Sequence, residues 1–289
     1  MAKKLTISKN KRIHFIGIGG AGMSAIARIF LEMGYKVSGS DLKETLATIR
    51  LKDFGGTVFI RHELSNMRLV DFVVVSTAIP EDNLELCYAR EENLPILKRA
   101  EALDFLLKQF SRQIAVSGTH GKTTTSSMVT MVLEKMGKRP TFVIGGELQD
   151  YGGNSRLASE EYFVAESDES DGSFLDIHPN LAIVNNIEEE HMDYYKDRAN
   201  LLAHFSRFME GVIQRDGHLF LNLDDPNVTA LSADLDQSHI TYYSVEKSSF
   251  VQGKKIVFSA AGVRFELWVK GVQQGVISLK AHGRHNVYN

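Results

Sequence analysis

The residues Gly118-Thr119-His120-Gly121-Lys122-Thr123-Thr124 set two glycines, a lysine and several hydroxyls between an apolar run and an amphipathic one. Before them, Gln113-Ile114-Ala115-Val116 reads as a buried strand. After them, Met128, Val129, Val132, Leu133 and Met136 fall at helical spacing within a helix predicted from Thr123. Strand, glycine turn, lysine, hydroxyl and helix together make a phosphate cradle. Backbone N–H groups and the positive helix end meet the phosphates, the lysine neutralises them, and the hydroxyl reaches magnesium. The strict loop pattern requires glycine at position 116, where this chain has Val116. The turn is a short form of that pattern.

Two acidic segments fit the same chemistry. A predicted strand, Tyr162–Ala165, ends in Glu166-Ser167-Asp168-Glu169-Ser170-Asp171. A carboxylate at a strand end beside a phosphate loop is where a magnesium ligand is expected, and a solvated acidic loop is the competing reading. The strand Leu181–Val184 leads through Asn185-Asn186 into Glu188-Glu189-Glu190-His191-Met192-Asp193, where His191 reads either as a ligand or as a surface histidine.

A second glycine turn, Gly17-Ile18-Gly19-Gly20-Ala21-Gly22, follows a predicted strand and opens a helix, and Asp41 ends the next strand. That arrangement suits a diphosphate on the helix N-terminus with an acid near the ribose; a tight packing turn is the alternative. The motif does not distinguish NAD from another diphosphate such as a UDP-sugar. Arg61-His62 and Ser76-Thr77-Ala78-Ile79-Pro80 lie at further predicted strand ends facing the same crevice.

These residues need a scaffold. From Arg12 to about Lys108, strand and helix patterns alternate, which implies a parallel, doubly wound sheet in an α/β fold. The rhythm restarts near Ser111, so the chain divides into residues 1–110 and 111–289. A helix at Arg198–Arg215 carries Leu201, Leu202, Phe205, Phe208, Met209 and Val212 on one face. After Asp224-Asp225-Pro226 the strands His239–Ser244, Lys255–Ser259, Val263–Val269 and Gln274–Leu279 read as a small antiparallel flap.

With 289 residues, 43% of them hydrophobic, the chain can bury two cores. A formal charge of −3 gives no electrostatic reason to expect nucleic acid as a partner. The single cysteine, Cys87, excludes an internal disulfide and suits a reducing compartment. Lys3, Lys4, Lys9, Lys11 and Arg12 resemble a signal n-region, but the apolar stretch that follows is short and runs into the glycine turn. The expectation is a cytoplasmic protein without a membrane span.

Taken in order, these motifs resemble the Mur ligase family of peptidoglycan synthesis, most closely its alanine-adding member. G-T-H-G-K-T-T is similar to that family's ATP loop, which accounts for the missing glycine. I-H-F-I-G-I-G-G-A-G-M-S-A-I-A resembles its N-terminal UDP-binding signature. A-E-S-D-E-S-D-G-S-F at 165–174 and N-I-E-E-E-H-M-D at 186–193 resemble its metal and substrate segments, and G-R-H-N-V-Y-N at 283–289 resembles the close of its central domain. The resemblance implies a Rossmann-like UDP-sugar domain over 1–110 and a P-loop-type α/β ATPase domain over 111–289. It implies ATP and Mg2+ as cofactors and UDP-N-acetylmuramate and L-alanine as substrates.

Residue by residue, the resemblance gives Gly118, Thr119, His120, Gly121, Lys122, Thr123 and Thr124 to ATP. Lys122 takes the β- and γ-phosphates, and His285 and Asn289 face the adenine. Thr123 takes one magnesium; Glu166 and His191 take a second. Gly17, Gly19, Gly20, Ala21, Gly22, Met23, Asp41, His62, Ser76 and Thr77 take the UDP part. Lys122, Glu166 and His191 are the implied catalytic set, with no carbamylated lysine. The implied reaction is amide synthesis through an acyl phosphate. The family carries a third domain of roughly 150 residues, and this chain ends at Asn289. The expectation is therefore a two-domain fragment that ligates poorly, with the L-alanine site mostly elsewhere. Rival readings are a murein peptide ligase, an NAD-dependent oxidoreductase resting on the first motif, and a non-enzymatic nucleotide-binding module.

Overall fold

The computed structural model describes residues 8–159 and 161–289; Lys3 and Lys4 lie outside the described residues. The chain divides into two compact units, residues 1–111 with 138–163, and residues 112–137 with 164–289. In chain order the first stretch forms β1 (Arg12–Ile16), α1 (Ala21–Glu32), β2 (Lys36–Asp41), α2 (Leu46–Asp53), β3 (Thr57–Ile60), β4 (Phe72–Val75), α3 (Leu84–Glu91), β5 (Ile96–Lys98) and α4 (Arg99–Leu107). Then come β6 (Arg112–Ser117), α5 (Lys122–Lys135), β7 (Thr141–Leu148), β8 (Gly153–Arg156), β9 (Tyr162–Glu166) and β10 (Leu181–Val184). The rest holds α6 (Met192–Tyr195), α7 (Arg198–Ile213), β11 (His218–Asn222), α8 (Pro226–Ser232), β12 (Ile240–Ser244), β13 (Val251–Ser259), β14 (Gly262–Val269), β15 (Val272–Leu279) and α9 (His285–Tyr288).

In the first unit a parallel sheet runs β3-β2-β1-β4-β5. Its order reverses at β1, so the loops after β1 and β4 part there and open a crevice, where ligands bind in sheets of this kind. Apolar runs such as Ile13–Ile16 are buried on both faces, as a strand covered by helices on both sides requires. Phe15, Phe30, Tyr35 and Phe105 pack ring against ring at 5.2–6.3 Å between centroids and fix α1 and α4 to the sheet. The antiparallel hairpin β7–β8 packs on α1, where the Asn154 side chain donates to the Ala21 carbonyl at 3.1 Å. Nothing in the composition of 138–163 signals that membership.

In the second unit the strand order is β15-β14-β13-β12-β11-β10-β6-β9. Helix α7 buries Leu201, Phe205, Phe208, Met209 and Val212, and Phe174 meets Phe205 and Phe208 at 5.0 and 5.2 Å. Each such side chain contributes about 1.5–3 kcal/mol on burial, before chain entropy is charged against it. One expectation needs correction. Residues 240–244 are not part of an antiparallel flap, because β12 runs parallel to β11 and widens the main sheet. Between Asp224-Asp225 and β12 the chain forms a crossover helix, α8, which the strand pattern does not include. Asp225 caps α8 by accepting from the Val228 N–H at 2.8 Å, and Pro226 takes the first turn. The antiparallel flap is β13, β14 and β15.

Helix α5 also departs from its pattern. It turns Thr125, Ser126 and Thr130 inward and leaves Met131, Val132 and Met136 more than 40% exposed. Met128, Val129 and Val132 line an apolar cavity of about 490 Å3 with Phe220, Tyr243 and Phe265. The helical period was legible, but the buried face is the small, polar one. Among the described residues, no helix is long and apolar enough to cross a membrane.

Candidate active site

In the second unit the turn after β6 is shaped by two glycines. Gly118 has φ +128°, and a Cβ there would come within 3.0–3.1 Å of the Asn185–Asn186 backbone. Gly121 caps α5 at φ +80°, where a Cβ would lie 2.4 Å from Asn289 Oδ1. Val116 needs no glycine: it is a fully buried strand residue paired with Ile183, and the turn begins only after Ser117. The loop after β10 holds the turn from below. Asn186 accepts the His120 N–H at 2.7 Å, and the Asn185 and Asn186 amides donate to the His120 carbonyl at 3.1 and 3.2 Å. Thr119 Oγ1 accepts the Glu188 N–H at 2.9 Å. The His120 backbone is thus engaged at both its N–H and its carbonyl, while its ring is exposed, with Glu188 at 3.5 Å and Glu190 at 3.7 Å.

Lys122 lies across this turn. Its ammonium donates to the Gly118 carbonyl at 2.8 Å, the Thr119 carbonyl at 3.0 Å and Glu169 Oε1 at 2.9 Å. All three donors of the ammonium are thereby used. Glu169 has only 2% of its side chain exposed, and burial pushes its carboxyl above the usual range despite the Lys122 ammonium. Sequence reading missed Glu169 as a site residue. Ser167 and Glu169 are buried beyond the end of β9, whose own residues Phe163, Val164 and Ala165 are all buried, so no local alternation marks Glu169 in the sequence.

Thr123 and Glu166 come together, the hydroxyl donating to Oε2 at 2.8 Å. A hydroxyl and a carboxylate oxygen suit a hard divalent cation that keeps water and phosphate as its other ligands. His191 has two other carboxylates as neighbours. It starts α6 at φ +55°, with Nε2 3.8 Å from Glu169 Oε1 and 3.9 Å from Glu190 Oε2. Among the described residues, no group of three or more His, Cys, Asp or Glu side chains is gathered as a metal cluster. Beside Gly121, a cavity of about 330 Å3 is walled by Asn185, Asp225, His285, Tyr288 and Asn289. Asn289 Oδ1 there accepts from Thr125 Oγ1 at 3.2 Å. Burial pushes the Asp225 carboxyl up, and burial with the nearby Asp224 pushes the Tyr288 hydroxyl up to about 12.

The first unit carries its own site around Gly17–Gly22. The Ser40 carbonyl accepts the Gly17 and Ile18 N–H groups at 2.9 and 3.0 Å, and Asp41 Oδ2 accepts the Gly19 N–H at 2.8 Å. A Cβ at Gly19 would meet that same carboxylate oxygen at 2.8 Å. Asp41 thus shapes the turn before it meets any ribose. Gly20 and Ala21 are exposed at the start of α1, and no side chain caps that helix. Gly22 faces Arg99, and a Cβ at this position would lie 3.3 Å from Arg99 Cδ. Ser76 Oγ accepts the Ala78 N–H at 3.3 Å, and Thr77 is exposed. Met23 is 2% exposed and packs its side chain in the core with α1, so a ligand would meet it through its backbone. His62 is mostly buried, with Nδ1 at 2.8 Å from Ser40 Oγ and 3.1 Å from Glu85 Oε2. Burial alone would raise Glu85, yet hydrogen bonds from His14, Ser40 and Asn66 take its carboxyl down to about 2.

Comparison with known proteins places this architecture. The Mur ligase middle domain matches residues 116–289, and the Mur ligase family catalytic domain matches residues 12–111. The chain belongs to the Mur ligase family. It is 46% identical over 283 residues to a UDP-N-acetylmuramate–L-alanine ligase of Pelotomaculum thermopropionicum, covering 98% of this chain and 61% of the relative. It is 43% identical over 279 residues to one of Dictyoglomus turgidum, covering 96% and 60%. Among solved structures, the UDP-N-acetylmuramate-alanine ligase of Thermotoga maritima superposes with a TM-score of 0.81 at 30% identity, covering 96% of this chain and 62% of that one. A UDP-N-acetylmuramate:L-alanyl-gamma-D-glutamyl-meso-diaminopimelate ligase from Neisseria meningitides superposes at 0.85 with 27% identity, covering 96% and 90%. The chain spans about 60% of the length of the curated relatives it matches.

Proposed function

We propose that the chain supplies the nucleotide-sugar and ATP sites of a cytoplasmic, ATP-dependent ligase that joins L-alanine to the lactyl carboxylate of UDP-N-acetylmuramate. The observation that carries this reading is Lys122, lying across a glycine turn at the start of α5, next to the Thr123–Glu166 pair. A carboxylate is a poor electrophile at neutral pH. Transfer of the γ-phosphoryl group to one carboxylate oxygen gives an acyl phosphate and ADP. The amine of L-alanine then attacks the carbonyl carbon, the C–O bond to phosphate breaks, and an amide and inorganic phosphate result.

The chain's part is alignment and charge neutralisation, which is most of what phosphoryl transfer requires. Lys122 would leave Glu169 for the β- and γ-phosphates, while the first-turn amides of α5 meet the phosphate oxygens. Thr123 and Glu166 would hold a magnesium ion, which supplies a hard cation to screen the gathered oxyanions. His285 and Asn289 would wall the base in the cavity beside Gly121. In the first unit, the Gly17–Gly22 turn with Asp41, His62, Ser76 and Thr77 would take the UDP part.

A murein peptide ligase acting on the same sugar nucleotide is the second reading, since a structure of that name superposes with a TM-score of 0.82. The relatives at 41–46% identity carry the alanine-ligase name, which favours L-alanine. Calorimetric titration with UDP-N-acetylmuramate, NAD and Mg-ATP tests the proposal. Binding of the sugar nucleotide and of Mg-ATP without NAD is expected. Tight NAD binding without the sugar nucleotide would overturn it.

A further inference from the structure

Beneath the first glycine turn sits a fully buried carboxylate that no role above uses. Glu85 lies in the first turn of α3, where Asn83 caps the helix, and its side chain is 0% exposed. Every contact to it comes from a loop at the ligand end of the sheet or from a strand beneath. Oε1 accepts from Asn66 Nδ2 at 2.7 Å and from the Glu63 N–H at 3.2 Å. Oε2 accepts from the Ser40 hydroxyl, and has His62 Nδ1 at 3.1 Å and His14 Nε2 at 3.5 Å. His14 is a buried residue of β1, with Nδ1 3.0 Å from Ser38 Oγ.

Two of these partners connect to the glycine turn and to the loop after β3. Ser40 offers its hydroxyl to Glu85 and its carbonyl to the Gly17 and Ile18 amides, so one residue links the carboxylate to the glycine turn. His62 follows Arg61, which holds φ +90° and whose N–H reaches the Asp41 carbonyl at 2.7 Å. A left-handed, non-glycine residue is strained, and the strain persists only where its surroundings enforce it. Asn66 enforces it here, donating to both the Arg61 carbonyl at 3.0 Å and Glu85.

A carboxylate accepts only, so the nitrogen of His62 that faces it must carry the proton. The other ring nitrogen, Nε2, belongs to a side chain 11% exposed, at the mouth of this cluster. We propose that Glu85 is the positioning residue of the nucleotide-sugar site: it fixes the ring orientation and the Nδ1–H form of His62, so that Nε2 meets a polar edge of the UDP-sugar. This rests on the functional reading above. A buried carboxylate used only to tie down the loop would have no need of the imidazole.

Ring-nitrogen NMR of His62 and a double-mutant cycle test the proposal together. In the wild-type protein without ligand, the Nδ1 proton is expected to be present, and Glu85→Gln is expected to release that preference. UDP-N-acetylmuramate affinity should fall about tenfold in Glu85→Gln, the loss of one good hydrogen bond, and this loss should vanish in a His62→Ala background. If the wild type binds the sugar nucleotide but the two losses simply add, the positioning role falls and the functional reading stands. If the wild type takes up no sugar nucleotide, the functional reading fails and the positioning role falls with it. Should Glu85→Gln not fold, the wild-type ring decides: a proton on Nε2 alone overturns the proposal.

Discussion

Replacing Lys122 with Met removes a cation from a pair in which Glu169 is 2% and Lys122 14% exposed. Removing one partner of such a pair generally costs about 3–5 kcal/mol, because a buried charge is left behind. Glu169 can escape that cost by taking up a proton, and this sets a ceiling. A carboxyl of ordinary value 4.5 costs about 1.36 kcal/mol per pH unit to keep protonated above that value. The ceiling is thus about 3.4 kcal/mol near pH 7 and only about 0.7 kcal/mol near pH 5. The sign follows from a raised folded value: stability is full below 4.5 and is lost as pH rises. Trp268 is the chain's only tryptophan and lies in β14 of the same unit, so urea unfolding followed by its fluorescence reads the right part. Lys122→Met should lose about 2–3 kcal/mol at neutral pH and under about 1 kcal/mol at the lower pH, and adding Glu169→Gln should restore most of the difference. An equal loss at both pH values, or no rescue by Glu169→Gln, would refute the reasoning.

Other outcomes follow from the same geometry. Gly121→Ala should cost about 1–2 kcal/mol for its left-handed backbone, and more as Asn289 is displaced, read as a lowered melting temperature together with weaker Mg-ATP binding. Asp41→Asn keeps the shape but weakens the acceptor for the Gly19 N–H, so UDP-N-acetylmuramate affinity should fall by about 1 kcal/mol with Mg-ATP affinity unchanged in the same titrations. Glu85 titrates near 2 in the fold against an ordinary 4.5. Its contribution, about 3.4 kcal/mol at most, is present above 4.5 and lost as pH falls toward 2. Acid titration of the Ile16 methyl resonances should show that loss in wild type and not in Glu85→Gln. Thr123→Val removes the hydroxyl that meets Glu166, and should weaken Mg-ATP about tenfold while sparing the sugar nucleotide.

Much of the scaffold was legible because its signals are local. Ile13–Ile16 and Leu181–Val184 are short apolar runs ending at turn residues, and the strands fall there. The glycine turns were legible for the same reason, since only glycine tolerates their backbone and close contacts. What failed depends on distant partners. Membership of 138–163 in the first unit rests on packing against α1, and β12 joins the parallel sheet only because α8 carries the chain across. Glu169 and Glu85 look like ordinary surface acids in sequence. Their importance lies in burial, which the composition of a six-residue window does not encode.

The central claim is that Lys122 serves a nucleoside triphosphate at a site separate from the sugar-nucleotide site. Calorimetric titration of wild type and Lys122→Met with Mg-ATP, each protein also titrated with UDP-N-acetylmuramate, tests it most directly. Loss of Mg-ATP binding in Lys122→Met, with sugar-nucleotide affinity held, is the result predicted. Equal Mg-ATP affinity in the two proteins would contradict it.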